Sequence, residues 1–312
     1  MNINSHFKIA ADFDVTLRKI APDGSVVSER TPVKDCKNLI TDTGMDRIGS
    51  GAFYDFCQCL QVGTGNTAPA YTNTALVARR QGVNRGLNPA LTYDGNVCVA
   101  TMTFTFATGQ ASGVLAELGL SVTTSGTLST RALFRDSGGT PITVTVLSDE
   151  ELVVTYRLRF TPSLTTDSQV YNRKGVDYTV TLRPAQVGVA VGHNLHSAGR
   201  LSAFAYTGTG ASVIARRFIG GSGVGDYSAF PSGTAQNIEE QFATRTYGTY
   251  TNGTYYRDDT YAMASAQQNV ANVTGWEFYG YPVRIQIGVS PAISKTSADA
   301  LGFTVRTSWS RE

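Results

Sequence analysis

Two histidines, His193 and His196, stand close enough in the sequence to suggest a shared ligand. Spaced this way on one turn of a helix, both could bind the same metal ion. Glycines on either side of the pair disfavour a helix, however, and no third ligand follows at the spacing of a metal site. We therefore predict a hydrogen-bonded loop here, with no metal site and no cofactor.

A glycine-rich stretch, Gly63-Thr64-Gly65-Asn66-Thr67, has part of the character of a phosphate-binding loop. It lacks the Lys-Ser/Thr pair that such loops use to contact phosphate. Pro69 also prevents the helix whose N-terminus would hold the anion. The stretch is therefore predicted to be a plain turn.

Carboxylates are few and scattered, which bears on glycan cleavage. A glycosidase needs two carboxyl groups about 5 to 9 Å apart, and spacing alone pairs none of the candidates in this way. The candidates are Glu117, the run 149–151, and the adjacent pairs Glu239-Glu240 and Asp258-Asp259. We predict no catalytic residue and no enzymatic activity, with a polysaccharide depolymerase as the least favoured alternative.

A group of tyrosines near the C-terminal end is the best candidate for contact with a receptor or partner. Tyrosine offers a large amphipathic surface at low entropic cost, which suits contact with a glycan or a protein. The competing interpretation is an aromatic ladder that only stabilises a hairpin, because Asn252-Gly253 is a strong hairpin signal. The tyrosines are Tyr247, Tyr250, Tyr255, Tyr256 and Tyr261.

The elements that must position these groups are mostly strands. Apolar residues occupy every second position from Phe7 to Leu17 and again from Leu152 to Phe160, as in half-buried antiparallel strands. The turn residues Pro22-Asp23-Gly24 predict a hairpin whose return strand stops near Pro32. Further strands are predicted at 97–106, 117–122, 128–134, 142–147, 176–182, 276–289 and 301–309, with a hairpin turn at 136–139.

The segment 38–80 combines a short helix, a strand and a polar loop. Thr41 or Asp42 is placed to cap a helix that carries Met45 and Ile48 on its apolar side. A buried strand at 54–62 and a surface loop should follow. We predict that this loop meets a neighbouring subunit through Gly63, Gly65, Asn66, Pro69, Leu76, Arg79 and Arg80.

The fold class follows from composition and pattern together. Only 16% of residues are charged, while 41% are hydrophobic, and many residues are Thr, Val or Tyr. This favours sheet over helix. We predict a mainly β protein, an antiparallel β-sandwich with a second β-rich region and little helix. Residues 1–162 would form the N-terminal sandwich and 163–312 a C-terminal β-rich domain with long loops; one elaborated sandwich is the alternative.

The net charge, the hydropathy and the cysteines bear on the kind of partner and on the cellular compartment. A net charge of +2 is too small to indicate nucleic-acid binding. No apolar run is long enough for a membrane span, and the N-terminus does not look like a signal peptide. We therefore expect synthesis in a reducing cytosol, where cysteines stay free thiols. The cysteines are Cys36, Cys57, Cys59 and Cys98.

Two blocks of the sequence resemble structural proteins encoded in the tail modules of tailed bacteriophages. The first is NLITDTGMDRIG followed by QVGTGNTAPAYTNTAL, and the second covers Glu117 to Phe160. The resemblance implies a non-enzymatic virion protein of the tail tip, baseplate or fibre attachment, made in the host cytoplasm. It also implies assembly with copies of itself, as a trimer or hexamer, and with other tail proteins.

Two other virion roles stay open. The chain could be a receptor- or glycan-binding tail fibre or spike that contacts a host cell-surface glycan or protein. It could also be a head decoration or head-fibre protein, since β-rich subunits serve both ends of a virion.

Overall fold

The computed structural model describes residues 2–50, 56–86, 89–185, 215–238 (except 222, 227, 228 and 230), 244–265, 269–279 and 284–312. The elements of these residues are β1 Asn2–Ile20, β2 Val26–Ile40, α1 Asp42–Ser50, β3 Cys59–Gly63, β4 Arg79–Asn84, β5 Ala90–Asp94, β6 Val97–Phe106, β7 Gly113–Leu115, β8 Glu117–Ser121, β9 Thr130–Leu133, β10 Val144–Val146, β11 Glu150–Pro162, β12 Asp167–Arg173, β13 Val176–Ala185, β14 Ala215–Ile219, β15 Thr234–Ile238, β16 Thr244–Tyr247, β17 Tyr256–Met263, β18 Val270–Tyr279, β19 Arg284–Lys295 and β20 Leu301–Arg311. The prediction of a mainly β, antiparallel fold with little helix is confirmed.

The first hairpin forms as the alternation predicts, but its return strand is longer than expected. The apolar side chains of β1 from Phe7 to Leu17 are all buried. β2 does not stop near Pro32 and continues to Ile40. The register between β1 and β2 shifts between Leu17↔Arg30 and Val15↔Val33, so Pro32 lies at an irregularity of the ladder. Proline is tolerated at such a position because no ladder hydrogen bond is required of it.

The helix α1 follows the capping prediction. The Thr41 hydroxyl accepts a hydrogen bond from the Gly44 backbone N–H at 3.1 Å and donates one to the Leu128 carbonyl at 3.1 Å. Met45 and Ile48 are fully buried. The strand expected at 54–62 begins only at Cys59, while Phe56 and Cys57 precede it and are buried. All four cysteines are buried free thiols.

One compact unit consists of residues 9–160 with 311–312. Its strands follow one hydrogen-bonded path in the order β4-β3-β8-β9-β2-β1-β11-β6-β5. The apolar face of β11 is buried along its whole length, as the alternation from Leu152 to Phe160 predicts. In the core, the Phe13 ring stacks on Tyr156 at 6.4 Å between centroids and tilts against Phe134 at 6.2 Å.

The predicted turn at 136–139 forms, but the strands around it do not pair with each other as a long hairpin. The Asp136 carbonyl accepts a hydrogen bond from the Gly139 N–H at 3.0 Å, and the Phe134 carbonyl accepts one from the Ile142 N–H at 2.9 Å. Beyond this point β9 pairs with β2 and β8, while β10 pairs with β7. Long-range partners therefore replace the local hairpin ladder.

A second compact unit consists of residues 2–8, 161–185 and the described part of 215–310. Its six-stranded sheet has the order β12-β13-β19-β18-β14-β15, and a second set of strands has the order β16-β17-β20 with the first residues of β1. Both sets contribute to one apolar core, in which Trp276 lies 5.5 Å from Phe303 between ring centroids.

Two predictions for this second unit need correction. The segment 276–289 is not one strand, because it contains the end of β18 and the start of β19, which pair antiparallel. Asn252-Gly253 does not form a two-residue hairpin loop. β16 and β17 do pair, but residues 248–255 connect them. The loop predicted at 220–233 joins β14 to β15, as far as its residues are described.

Candidate functional site: a pinned loop beside a charged groove

Glu117, the first residue of β8, is fully buried and organises the loop at residues 64–78. Its carboxylate accepts hydrogen bonds from three backbone N–H groups of this loop. These are the N–H groups of Gly65 at 3.0 Å, Val77 at 3.3 Å and Ala78 at 2.9 Å. A carboxylate bonded in this way is a structural acceptor, and both ends of the loop are tied to the same side chain.

Arg131 on β9 completes this network from the other side. Its side chain is 1% exposed and donates from Nε to Glu117 Oε2 at 2.9 Å. The remaining guanidinium N–H groups bond the middle of the loop, at the carbonyl oxygens of Thr67 (2.8 Å) and Ala68 (3.3 Å) and at Asn73 Oδ1 (2.8 Å). A buried ion pair is tolerated when its partners are this fully hydrogen-bonded. We call residues 64–78 the pinned loop.

The pinned loop divides the predicted interface residues into two groups. Gly63, Gly65 and Leu76 are buried inside the protein and do not face solvent. A side chain at Gly65 would overlap the Glu117 carboxylate, and a Cβ at Gly63 would lie 2.5 Å from the Ala78 carbonyl. The role of these three residues is therefore to shape the loop from within, which corrects their placement as contact residues.

The outer surface of the loop stays accessible. Asn66 is exposed and Pro69 is half-buried. Tyr71 and Val77, which the sequence analysis did not select, are 52% and 56% exposed. Two large side chains held outward by a rigid backbone are suited to contact another protein.

Arg79 and Arg80 follow the loop at the start of β4, and both are exposed. Arg79 Nε donates to the Thr124 carbonyl at 2.9 Å. The guanidinium of Arg80 lies beside Gly113. Within the described residues neither arginine has a carboxylate at ion-pair distance.

A groove of about 790 Å³ opens beside the pinned loop. Ala68, Pro69 and Tyr71 of the loop line one part. Residues of β1, β2, β9 and β11 line the rest, together with Arg135, Arg311 and Glu312. Its volume lies in the range of binding pockets, roughly 300 to 1,000 Å³. The charged lining residues are Asp12, Asp35, Lys37, Arg131, Arg135, Arg159, Arg311 and Glu312.

The acidic groups on the β1–β2 side of the groove are neutralised by arginines of β11. Arg157 bonds Asp14 at 2.7 Å and Asp35 at 2.9 Å, and it also contacts Asp12. Arg159 Nε reaches Asp12 at 2.6 Å. The hydrogen bond from Arg157 is the main reason that the pKa of Asp14 lies below its ordinary value, and the same bond raises the pKa of Arg157.

Arg311 is fixed against the pinned loop. Its Nε donates to the Ile40 carbonyl at 2.7 Å and its second nitrogen to Asp42 at 2.6 Å, at the start of α1. The guanidinium lies 4.2 Å from the centre of the Tyr71 ring. This cation–π contact holds the exposed ring in one orientation.

Two cations of the groove are left for a ligand. Lys37 on β2 is exposed and Arg135, just after β9, is half-buried. Arg135 donates to the Gly139 carbonyl at 2.6 Å. Neither has a carboxylate at ion-pair distance among the described residues. Together with the apolar side chains of Leu39 and Leu133, they favour an occupant that is both apolar and anionic.

The tyrosines do not form one continuous patch. Tyr250 packs on the buried Trp309, with ring centroids 5.6 Å apart. Tyr255 has a positive φ of 53° and is half-buried. Tyr256 is 37% exposed and lies beneath Arg306, 4.1 Å from its ring centre. Tyr247 and Tyr261 lie on β16 and β17, but their side chains are outside the described part.

Four of the other acidic candidates, Asp149, Glu150, Asp258 and Asp259, are bonded to neighbouring groups in the structure. Glu150 is 6% exposed and accepts the Leu147 N–H at 2.8 Å and Arg30 at 3.3 Å. Asp149 pairs with Lys19 at 3.1 Å, and Asp258 with Arg306 at 2.7 Å.

Two of the predicted motifs lie outside the described residues, namely His193 with His196 and the pair Glu239-Glu240. Within the described part of the chain, no group of three or more His, Cys, Asp or Glu side chains is arranged to hold a metal ion. No helix in that part is long and apolar enough to cross a membrane.

Sequence reasoning missed Arg131, which holds the site together. The available signal was a single arginine within an apolar strand, where its burial requires a buried partner. Glu117 was considered only as a catalytic acid. Comparison with protein-family models, curated proteins and solved structures finds no match to the chain.

Proposed function

We propose that this chain is a non-enzymatic structural subunit of a tailed-bacteriophage virion, in the tail tip, baseplate or fibre-attachment assembly, where it contacts copies of itself and other tail proteins. The observation that carries the proposal is the pinned loop. Glu117 and Arg131 hold its backbone from within, while Tyr71 and Val77 face outward.

A loop fixed in this way suits assembly for a thermodynamic reason. Ordering interface side chains and loops on binding costs roughly 0.5 to 1.5 kcal/mol for each immobilised side chain. Here the ion pair holds the backbone and Arg311 holds the Tyr71 ring before any partner binds. More of the contact energy is then available for association.

The resemblance to tail-module proteins covers both parts of this network. The loop belongs to the first resembling block, and Glu117 and Arg131 belong to the second. The ion pair therefore joins the two blocks, which supports reading them as one assembly device.

A second candidate function is contact with a host receptor. The observation in its favour is Tyr256, a partly exposed ring stacked beneath Arg306. Such an aromatic–guanidinium pair is a common element of protein and glycan recognition. Of the five tyrosines of the predicted site, this candidate function relies on Tyr256, together with Arg306 and the residues around them.

Mass spectrometry of gradient-purified virions tests the proposal. We expect the chain in the particle at a copy number that is a multiple of three or six relative to a single-copy tail protein. A host cytosolic protein of similar abundance in the lysate serves as the contamination control. Particles that lack the chain would refute the proposal.

Adsorption to host cells separates the two candidates. Virions carrying Tyr256→Ala should adsorb normally if the chain is an assembly subunit. A loss of adsorption with intact particles would favour the receptor-binding function.

A further inference from the structure

The turn of the β1–β2 hairpin is an apolar, acidic projection. We call residues 21–28 the tip. Val26 and Val27 on the tip are 55% and 60% exposed, and Asp23 is its one charged residue. Every residue from 22 to 31 is exposed. Val26 and Val27 follow each other in a strand and therefore point to opposite sides, so each side of the tip offers one exposed apolar side chain to a partner.

The tip has a defined conformation. Asp23 Oδ1 accepts hydrogen bonds from the Ser25 N–H at 2.9 Å and the Ser25 hydroxyl at 2.7 Å. Gly24 supplies the positive φ of 86° that the turn requires. The hydrogen bonds from Ser25 lower the pKa of Asp23, so the carboxylate is ionised at neutral pH.

The base of the hairpin is anchored, which leaves only the tip free. Arg30 donates to the Thr145 carbonyl at 2.9 Å and pairs with Glu150 at 3.3 Å. The Ile20 N–H reaches the Asp149 carbonyl at 3.0 Å. The tip therefore projects from a fixed support.

The groove has the complementary chemistry. Leu39, Leu133, Pro69 and Tyr71 give it an apolar lining, and Lys37 with Arg135 gives it cations. A few side chains would fit its volume of about 790 Å³, which is too small for a folded domain.

The tip of a chain is too far from its own groove to enter it. Lys37 pairs with Asp12 in the ladder, and Val26 pairs with Ile20. The eight residue-to-residue steps from Asp12 to Ile20 span on the order of 27 Å of extended strand. The tip can meet this groove only in another copy.

We infer that the tip of one copy inserts into the groove of the next, with Asp23 at Lys37 and Arg135 and Val27 against Leu39. The inference rests on the proposed function, because it specifies how copies of the chain contact each other. Since tip and groove are different surfaces, the contact is heterologous, and its repetition gives a closed ring or a filament.

Sedimentation velocity of the purified full chain tests the inference. The wild-type chain should self-associate. The tip variant Asp23→Asn/Val27→Ser, which retains an acceptor oxygen for the turn, should weaken association about tenfold or more. The groove variant Lys37→Glu should have the same effect. Asp94→Asn is the matched control, because Asp94 is an exposed carboxylate at the end of β5, next to the Gly95-Asn96 turn of the β5–β6 hairpin.

Mixing the two disabled chains gives the sharpest result. The tip variant keeps its groove and the groove variant keeps its tip, so an equimolar mixture should form a heterodimer that grows no further. A mixture that stays monomeric would overturn the inference. So would a wild-type monomer at high micromolar concentration, or oligomers that the tip variant leaves unchanged.

Failure of this contact is distinguishable from failure of the proposed function. The chain would still be found in purified virions if copies met through another surface. Its absence from virions would refute the function whatever the sedimentation result.

Discussion

Arg131 Nε lies 2.9 Å from Glu117 Oε2, and the two side chains are 1% and 0% exposed. This pair joins β9 to β8 and, through the backbone groups that it bonds, fixes the pinned loop. The two residues are 14 positions apart in the sequence. The pair therefore exists only because the sheet places the strands side by side.

Removing one member of this pair should strongly destabilise the protein. We expect Arg131→Met to lower the free energy of unfolding by about 3 to 5 kcal/mol, because it leaves Glu117 as a buried, uncompensated charge. Urea denaturation measures the change, and limited proteolysis should show faster cleavage within residues 64–78. Arg79→Met is the control and should stay within about 0.5 kcal/mol, since Arg79 is exposed. Equal losses for the two variants would contradict this account.

Acid should weaken the fold through the Asp14–Arg157 contact. The pKa of Asp14 is lower in the folded protein than its ordinary value, so the folded state favours the ionised carboxylate. This stabilisation is present above the ordinary pKa of 3.8 and is lost as the pH falls through the lower, folded-state pKa.

Urea denaturation at a series of pH values between neutral and strongly acidic measures this loss. The variant Arg157→Gln should already be less stable at neutral pH and should lose less on acidification than the wild type. If acidification lowered the free energy of unfolding of the two proteins by the same amount, Arg157 would not be the cause.

The close packing of β4 against the chain near Thr124 should make Gly82 intolerant of a side chain. A Cβ at Gly82 would overlap the carbonyl group of Thr124, and backbone atoms do not move aside cheaply. Gly82→Ala should therefore destabilise by about 1 to 3 kcal/mol. Gly86 is the matched control two residues after β4, because a Cβ there meets no described atom within 4 Å. Thermal unfolding should leave Gly86→Ala close to the wild type.

The tyrosines of the second unit should separate into structural and accessible residues. Tyr250→Ala should lower the free energy of unfolding by about 1 to 3 kcal/mol, because its ring packs on the buried Trp309. Tyr256→Ala should cost only about 0.5 to 1 kcal/mol, the value of an exposed cation–π contact. Urea denaturation distinguishes them, and a larger loss at Tyr256 would reverse the assignment. Tyr256 is consequently the better residue for adsorption experiments.

The sequence predicted the elements with a strong local pattern. Alternation along β1 and β11 predicts both the strands and their buried faces, because side chains in a strand point to opposite sides with a period of two. The capped helix α1 was found for a similar reason, since Thr41 and the Gly44 N–H are neighbours in the chain. The loop of segment 38–80 was also recognised, although three of its predicted contact residues proved to be internal.

Only the tertiary structure decided which strands meet and what their side chains enclose. The turn at 136–139 is local and forms as predicted, yet β9 and β10 take distant partners, because hydrogen bonding in a sheet does not depend on sequence separation. The same is true of Glu117 with Arg131 and of Lys37 with Arg135 in the groove. Local periodicity determines the strands, whereas long-range pairing brings single polar residues together, and the candidate site of this protein consists of such residues.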